Sequence, residues 1–196
     1  YQLGHDAYDL LQALGVQQCH WAGVSMGAMT AMRLYPKHPE LFKSLTIIDS
    51  SAADAPDLLE GYTQLGQAML HYGMNDQLNQ AIDAVFYTPA IHNEKPDDVA
   101  YWHEYWANAN RQDLYNAVMP VIDRDDVSEL VNQISVPTLI IVGDQDNSTP
   151  PAKSEDMHRR IAGSKLVYVQ NGGHMSIVER PEAVTQAMDE FLSTIK

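Results

Sequence analysis

The sequence predicts an α/β fold in which helices cover both faces of a short parallel β-sheet. Three observations predict it. The chain has 196 residues, enough for one sizeable core. Several continuous apolar runs are bounded by turn residues, as in strands buried on both faces. These runs alternate with segments whose apolar residues recur every three or four positions, which is typical of helices.

The first part of the sheet is predicted as helix, strand, helix and strand. Residues 6–14 repeat apolar side chains at helical spacing, and Gly15 follows them as a typical helix exit. A strand is expected at 18–22, a helix at 26–35 and a second strand at 44–49. We expect the first of these strands to form an exposed edge of the sheet.

The second part of the sheet lies near the end of the sequence. Apolar runs at 136–144 and 165–170 predict two further strands, which gives about four strands in all. Helices are expected after them, at 152–162 and 181–194. Pro181 stands where a proline is tolerated best, in the first turn of the last helix.

A long segment, residues 50–135, separates the second and third strands. It is much longer than one crossover helix requires, and it is rich in Tyr, Trp, Met and Gln. Four of its stretches have helical spacing and are separated by polar, Pro or Gly breaks: 58–73, 76–86, 97–109 and 113–122. We therefore predict a helical cap and connecting helix at 50–135, inserted into a core of residues 1–49 and 136–196.

The composition excludes several classes of protein. The net charge is −14, from 12 Lys and Arg against 26 Asp and Glu, so phosphate backbones are repelled and we expect no nucleic-acid partner. No stretch approaches the roughly 20 apolar residues of a membrane span. No charged, apolar leader follows Tyr1, so we expect a cytoplasmic protein without a membrane partner. Cys19 is the only cysteine, and its apolar neighbours indicate a small core residue.

Metal binding is not expected from the histidine pattern. The sequence has 8 histidines, and none stands at metal-ligand spacing with a second His or Cys. We therefore expect no metal site, and no other cofactor is indicated.

The stretch Gly23-Val24-Ser25-Met26-Gly27 joins the first strand to the following helix. A serine hydroxyl is a poor nucleophile unless it projects into a site and a base takes its proton. A tight turn would project Ser25, and we expect glycines at 23 and 27 because larger side chains would collide there. The N–H of Met26 would then face a developing oxyanion as one donor.

Candidate acids and a candidate base follow later strands. Asp144 and Asp146 come after the third strand, and His174 lies in a glycine-rich loop after the fourth. Serine, acid and histidine in this order suit nucleophilic catalysis. Asp49, at the end of the second strand, is a weaker candidate for the acid, and we expect it to cap the turn that follows it.

Three motifs resemble those of the α/β-hydrolase superfamily, in particular its carboxylesterase and enol-lactonase-like branch: the elbow at 23–27, the turn Gly143-x-x-Asp146, and the loop Gly173-His174-Met175 before VERPEAV. The resemblance covers nearly the whole chain. It implies that Ser25 is the nucleophile, His174 the general base and Asp146 the orienting acid. Asp146 is preferred to Asp144 because the resemblance places the acid third after the glycine.

The cap that this resemblance implies would shape the substrate pocket. By their spacing, most of its aromatic residues and methionines pack helix against helix. We expect six side chains from the cap, the elbow and the histidine loop to line an apolar pocket: Val24, Met69, Trp102, Trp106, Met119 and Met175.

The predicted function is that of a serine esterase that hydrolyses small carboxylic esters through an acyl-enzyme. An enol-lactone is an alternative substrate for the same chemistry. Members of the superfamily carry further strands, and a His-Gly loop with a second oxyanion donor, before the position that matches Tyr1. The resemblance therefore predicts an N-terminally truncated hydrolase core. We also expect a homodimer whose interface lies near the active site. The alternative to an active esterase is a catalytically silent chain that acts only as a subunit of an assembly.

Overall fold

The computed structural model describes residues 1–195 except for the side chain of Asp57, and it contains one parallel sheet of four strands. The strands lie in the order β1-β2-β3-β4, and their bounds are as follows: β1 (Cys19–Val24), β2 (Phe42–Ile48), β3 (Thr138–Gly143) and β4 (Lys165–Val169). All three pairings are parallel. The predicted α/β class and the predicted number of strands are therefore confirmed.

The helices are numbered in chain order, and α3–α7, which lie between β2 and β3, are described below. Four longer helices accompany the strands: α1 (Gln2–Ala13), α2 (Met26–Leu34), α8 (Pro151–Arg160) and α10 (Pro181–Leu192). A short helix, α9 (Ser176–Glu179), precedes α10, and single 3₁₀ turns occur at Pro39–Leu41 and Leu130–Gln133. Each predicted core helix is confirmed, although α1 begins at Gln2 rather than at residue 6. Pro181 occupies the first turn of α10, as predicted.

The continuous apolar runs are explained by the two faces of the sheet, since successive side chains of a strand point to opposite faces. Leu45 and Ile47 belong to one core cluster, which Met32 of α2 and Met157 of α8 complete. Ile48 belongs to a second cluster with residues of α10. Burying each such side chain stabilises the fold by about 1.5–3 kcal/mol.

The strands end at a common edge of the sheet. Val24, the last residue of β1, pairs with Ile48, the last residue of β2. Gly143 at the end of β3 pairs with Val169 at the end of β4. The segments that follow these four strands therefore emerge side by side, which is where ligands bind in open α/β sheets.

β1 is an edge strand of the described sheet, as predicted. Its burial alternates, with His20 and Ala22 exposed and Gly23 buried. Cys19 is only half-buried, so the prediction of a core cysteine was wrong, because the residue begins a strand with one uncovered side.

Residues 50–135 carry five helices between β2 and β3, and we call them the helical segment: α3 (Pro56–Tyr72), α4 (Asp76–Phe86), α5 (Ile91–Glu94), α6 (Pro96–Asn108) and α7 (Arg111–Ile122). The four predicted helical stretches are thus confirmed. Met69, Leu78 and Ile82 form a separate small core there. Whether the segment acts as a cap stays a prediction. Of the helices described, none is long and apolar enough to cross a membrane.

Candidate active site

Ser25 lies at a sharp turn between β1 and α2. Its backbone is in an uncommon region, with φ +46° and ψ −109°. Its N–H donates to the Ile48 carbonyl at 2.8 Å, and the Ser50 hydroxyl donates to the Ser25 carbonyl at 2.9 Å. These bonds hold the strained turn at the edge where the strands end. Helix α2 begins at Met26, so the first amide of that helix lies next to the serine.

The two glycines of the turn have different roles. A Cβ atom at Gly23 would overlap the backbone of Gly27 and Ala28, so only glycine fits there. A Cβ atom at Gly27 would meet no atom within 4 Å. The predicted collision is therefore confirmed for Gly23 and wrong for Gly27, whose backbone rather than side chain takes part in the close approach.

His174 lies between Ser25 and Asp146. Its Nε2 is 3.0 Å from Ser25 Oγ, and its Nδ1 is 3.0 Å from Asp146 Oδ2. His174 is 3% exposed and Asp146 is 2% exposed. When Nδ1 carries a hydrogen and donates a hydrogen bond to the carboxylate, Nε2 is free to accept the proton of the serine hydroxyl. The structure thus brings together the three residues that the sequence singled out.

Asp146 is held by the turn that follows it. Its Oδ1 accepts from the N–H groups of Ser148 and Thr149, each at 2.8 Å, and its Oδ2 accepts from the Thr149 hydroxyl at 2.8 Å. Asp144 makes no hydrogen bond to His174, and one of its side-chain oxygens is buried without a partner among the described residues. Geometry therefore favours Asp146 over Asp144 as the partner of His174.

Gly143 allows the histidine loop to approach the end of β3. A Cβ atom at this position would overlap the carbonyls of Gly172 and Gly173. The N–H of Gln145 also donates to the Gly172 carbonyl at 2.9 Å. The short distance between His174 and the residues after β3 depends on this contact.

Asp49 does not cap its own turn, so that prediction was wrong. Its backbone has φ +46°, its side chain is fully buried, and its Oδ1 accepts from the Gly143 N–H at 2.9 Å. Its Oδ2 accepts from Ser176, from the N–H at 3.2 Å and from the hydroxyl at 2.6 Å. The turn after β2 is closed instead by the hydroxyl of Ser51, which donates to the Ala53 carbonyl at 3.2 Å and accepts from the Ala53 N–H at 3.1 Å.

The electrostatics of Asp49 are unusual. Burial raises the pKa of its carboxyl to about 7, although the hydrogen bonds from Ser176 and Gly143 lower it. The charge of Asp146 raises the same pKa, and the electrostatic effect of His174 lowers it. Such a shift is typical of functional sites.

A further buried carboxylate, Glu179, joins the histidine loop to the helical segment. Its Oε1 accepts from the Gly173 N–H at 2.8 Å, and its Oε2 accepts from the Thr88 N–H at 3.1 Å and from the Thr88 hydroxyl. Glu179 is 1% exposed. A glutamate is seldom buried so completely unless its oxygens are paired. Sequence reasoning missed it.

Phe86, at the end of α4, was also missed by sequence reasoning. The centre of its ring lies 5.7 Å from that of His174, and its carbonyl accepts from the Met175 N–H at 2.9 Å. Trp106 lies behind it, 6.1 Å from the Phe86 ring, and Trp102 is 6.2 Å from Trp106. Two of the predicted pocket residues therefore connect to His174 through Phe86.

The other predicted pocket residues lie in separate packing environments. Val24 packs against the cluster that contains Ile48, and Met175 packs against the cluster of Tyr87, Ile91 and Val99. Met69 is buried in the small core of the helical segment, and Met119 lies beside Gly66 of α3. Their contact with a substrate stays a prediction.

Met26 also lines a cavity of about 450 Å³ between α1, α2 and the end of α7, and neither Ser25 nor His174 lines it.

The described residues contain no group of three or more His, Cys, Asp or Glu side chains that could hold a metal ion.

Comparison with known proteins places this geometry in context. The family model described as "alpha/beta hydrolase fold" matches residues 1–181. The chain is 29% identical over 201 residues to 3-oxoadipate enol-lactonase 1 from Acinetobacter baylyi, across 99% of this chain and 71% of that protein. It is 24% identical over 176 residues to a pimeloyl-(acyl-carrier protein) methyl ester esterase from Neisseria meningitidis, across 88% of this chain and 69% of that protein.

A solved structure is also similar to this chain. A thermophilic esterase from Thermogutta terrifontis is similar with a TM-score of 0.88 and 25% identity, across 98% of this chain and 71% of that chain. These relatives support hydrolase activity. Because the family model covers most of the sequence, and the fold and the Ser25 turn agree with it, this chain belongs to the alpha/beta hydrolase fold family.

Proposed function

We propose that the protein is a serine hydrolase that cleaves small carboxylic esters through an acyl-enzyme. Ser25 is the nucleophile, His174 the general base and Asp146 its orienting partner. One observation carries the proposal: His174 Nε2 is 3.0 Å from Ser25 Oγ while its Nδ1 is 3.0 Å from Asp146 Oδ2. Such a buried row of hydroxyl, imidazole and carboxylate activates a serine.

Acylation follows from this row. Nε2 of His174 takes the proton of Ser25 as Oγ attacks the ester carbonyl carbon, and the negative charge collects on the carbonyl oxygen. The tetrahedral adduct then collapses and breaks the bond to the leaving oxygen, which receives the proton from Nε2. The alcohol departs, and the acyl group stays on Ser25. The carboxylate of Asp146 stabilises the imidazolium during the step.

Deacylation uses the same atoms in the reverse roles. A water molecule gives a proton to Nε2 of His174 and attacks the acyl carbon. The adduct collapses, Ser25 Oγ recovers the proton, and a carboxylic acid is released. No cofactor enters either step.

Stabilisation of the oxyanion is assigned to the N–H of Met26. It is the first amide of α2 and carries the partial positive charge of a helix N-terminus. One such donor contributes about 10²–10³-fold to the rate of acyl transfer.

An enol-lactone is the second candidate substrate. The observation that favours it is the 29% identity to an enol-lactonase over 99% of the chain. The same two steps would open the lactone ring. Because the leaving enolate and the acyl group belong to one molecule, nothing departs until water releases the whole molecule from Ser25. Small open-chain esters are proposed first because esterases occur among the sequence relatives and the structural relatives.

The homodimer stays a prediction. β1 is an edge strand of the described sheet and Ser25 follows it directly, so a two-fold contact there would place the active site beside the interface. Sedimentation at assay concentration is expected to give a dimer. A fully active monomer of 21.9 kDa would contradict it.

The proposed function is tested with p-nitrophenyl acetate, butyrate and hexanoate. Wild type is expected to turn them over, and Ser25→Ala to lower kcat by about 10⁴-fold or more. Ser193→Ala is the matched control, because this serine lies beyond α10 and bonds only to its own helix end. Equal background rates in wild type and Ser25→Ala would instead support a catalytically silent chain. Circular dichroism checks that each variant is folded.

Comparing kcat/KM for these esters with that for a five-membered enol-lactone separates the two substrate classes. A higher value for the lactone would replace the ester as the preferred substrate and leave the roles of the three residues unchanged.

A further inference from the structure

We propose that Asp49 is a positioning residue for this chemistry, and that it acts only in its charged form. Its carboxylate holds the loop that carries His174 against the strand end that leads to Asp146. This inference rests on the proposed function of the site. Asp49 has no hydrogen bond to Ser25 or to the imidazole of His174. It therefore acts through the backbone near the acid and the base.

Asp49 joins the two segments whose separation matters most for the reaction. Gly143, which donates to Oδ1, stands three residues before Asp146, and Ser176, which donates to Oδ2, stands two residues after His174. One side chain therefore fixes the distance between the backbone near the acid and the backbone near the base. Misplacement of a catalytic group by about 1 Å can cost about 10²-fold in rate.

The hold requires the charged form because all the partners of Asp49 are donors. A carboxylate accepts on both oxygens, whereas a carboxylic acid carries a hydrogen on one of them. The Ser176 hydroxyl can rotate and accept that hydrogen. The Ser176 N–H cannot rotate, so in the buried site it then faces a neutral and weaker acceptor than the carboxylate, which makes its hydrogen bond weaker. Protonation of Asp49 therefore loosens the chain two residues beyond His174.

The burial of Asp49 moves the protonation of its carboxyl into a pH range where activity can be measured. The titratable groups that act on Asp49 are Asp146 and His174, and the pKa of its carboxyl is raised to about 7, chiefly by burial. Glu179 lies on the same short helix as Ser176 but binds Gly173 and Thr88. Below about pH 7 the protonated form of Asp49 predominates, and above it the charged form does.

Protonation of Asp49 then lowers activity on the acidic side, because Asp49 must be charged to hold the loop. In wild type, log kcat/KM is expected to fall more steeply with decreasing pH through about 7 than in Asp49→Asn, because Asp49 is protonated over that range. Asp49→Asn cannot ionise, so its profile is expected to lack this step. Its plateau at alkaline pH is expected to be about tenfold lower, since an amide also opposes a donor.

Ser176→Ala gives a second test that does not depend on the folding of the first variant. Removal of the hydroxyl takes away a bond that stabilises the charged form, so the activity step of Asp49 is expected to move up by about one pH unit. A purely structural contact would not move this step. Asp144→Asn, which removes a neighbouring carboxylate outside the row, is expected to keep the slope of wild type.

The profiles are measured with p-nitrophenyl butyrate from about pH 5 to about pH 9, alongside Ser25→Ala. Identical slopes in wild type and Asp49→Asn would overturn the inference, and so would an unshifted step in Ser176→Ala. Loss of turnover in Ser25→Ala alongside either result would leave the proposed function standing. Absence of any Ser25-dependent turnover in wild type would overturn the proposed function and, with it, this inference.

Discussion

The side of the sheet where the four strands end, which we call the edge here, and the helical segment hold their side chains in different ways. At the edge, Asp49, Asp146 and Glu179 are buried, and both oxygens of each accept hydrogen bonds. In the helical segment, large aromatic side chains remain at the surface, with Tyr72 74% exposed and Tyr101 60% exposed. The edge is thus preorganised by hydrogen bonds, whereas the helical segment also keeps aromatic side chains exposed to solvent.

The two regions meet along the histidine loop and the helix after it. Glu179 binds Thr88, and the ring of Phe86 lies against that of His174. Further along, the Lys95 ammonium donates to the Val178 carbonyl at 2.8 Å. The helical segment is thus attached to the loop that carries the proposed base, so substitutions there can alter both binding and catalysis.

The largest expected effect comes from the edge, in a comparison of its two neighbouring aspartates. Asp146→Asn removes the carboxylate that orients His174, and kcat on p-nitrophenyl butyrate is expected to fall by about 10⁴-fold. Asp144→Asn is the matched control, because among the described residues Asp144 makes no hydrogen bond to the imidazole, whereas Asp146 does, and a change within about threefold is expected. Steady-state kinetics at pH 8 measures both. The reverse ranking would show that Asp144 is the acid.

A smaller effect is expected where the two regions meet. Glu179→Gln places an amide opposite at least one N–H donor in a buried site, so the free energy of unfolding is expected to fall by about 2–3 kcal/mol. Urea denaturation at neutral pH measures it. Glu182→Gln serves as the control, since this glutamate is exposed on α10, and a change within about 0.5 kcal/mol is expected. Equal stability of the two variants would mean that Glu179 does not fasten the segment to the loop.

The smallest expected effect lies in the helical segment itself. Phe86→Leu removes an aromatic ring beside His174 and weakens the contact with Trp106, so KM for p-nitrophenyl hexanoate is expected to rise by about three- to tenfold. The kcat for the acetate, which cannot reach far from Ser25, is expected to stay within about twofold. Tyr105→Phe, at an exposed ring, is the control. A loss confined to the acetate would place Phe86 with the reacting atoms instead of the pocket.

The sequence predicts those parts of the molecule that depend on local patterns. The strands and helices follow from apolar spacing, and the Ser25 turn follows from five consecutive residues, of which Gly23 has the steric reason expected. Local patterns do not separate Asp144 from Asp146, because both follow the same strand. The resemblance favours Asp146, and so does its hydrogen bond to His174.

The interactions missed from the sequence are those between distant segments. Asp49 lies 94 residues from Gly143 and 127 from Ser176, and Glu179 lies 91 from Thr88. Each looks like an ordinary polar residue at the end of a strand or near a helix start. Only the parallel arrangement of β2 and β3 brings Asp49 under the histidine loop. Helical spacing alone also cannot identify the residues that line a pocket. Residues that pack against another helix and residues that line a pocket lie on the same apolar face of a helix and recur at the same spacing.

The central claim is that Ser25 is an activated nucleophile, and covalent labelling tests it most directly. The protein is incubated with a fluorophosphonate, which reacts with activated serines, and the modified peptide is identified by mass spectrometry. We expect a single label on Ser25 in wild type, no label in Ser25→Ala, and strongly slowed labelling of the folded His174→Ala variant. A label on another serine, or no label on the folded wild-type protein, would contradict the account.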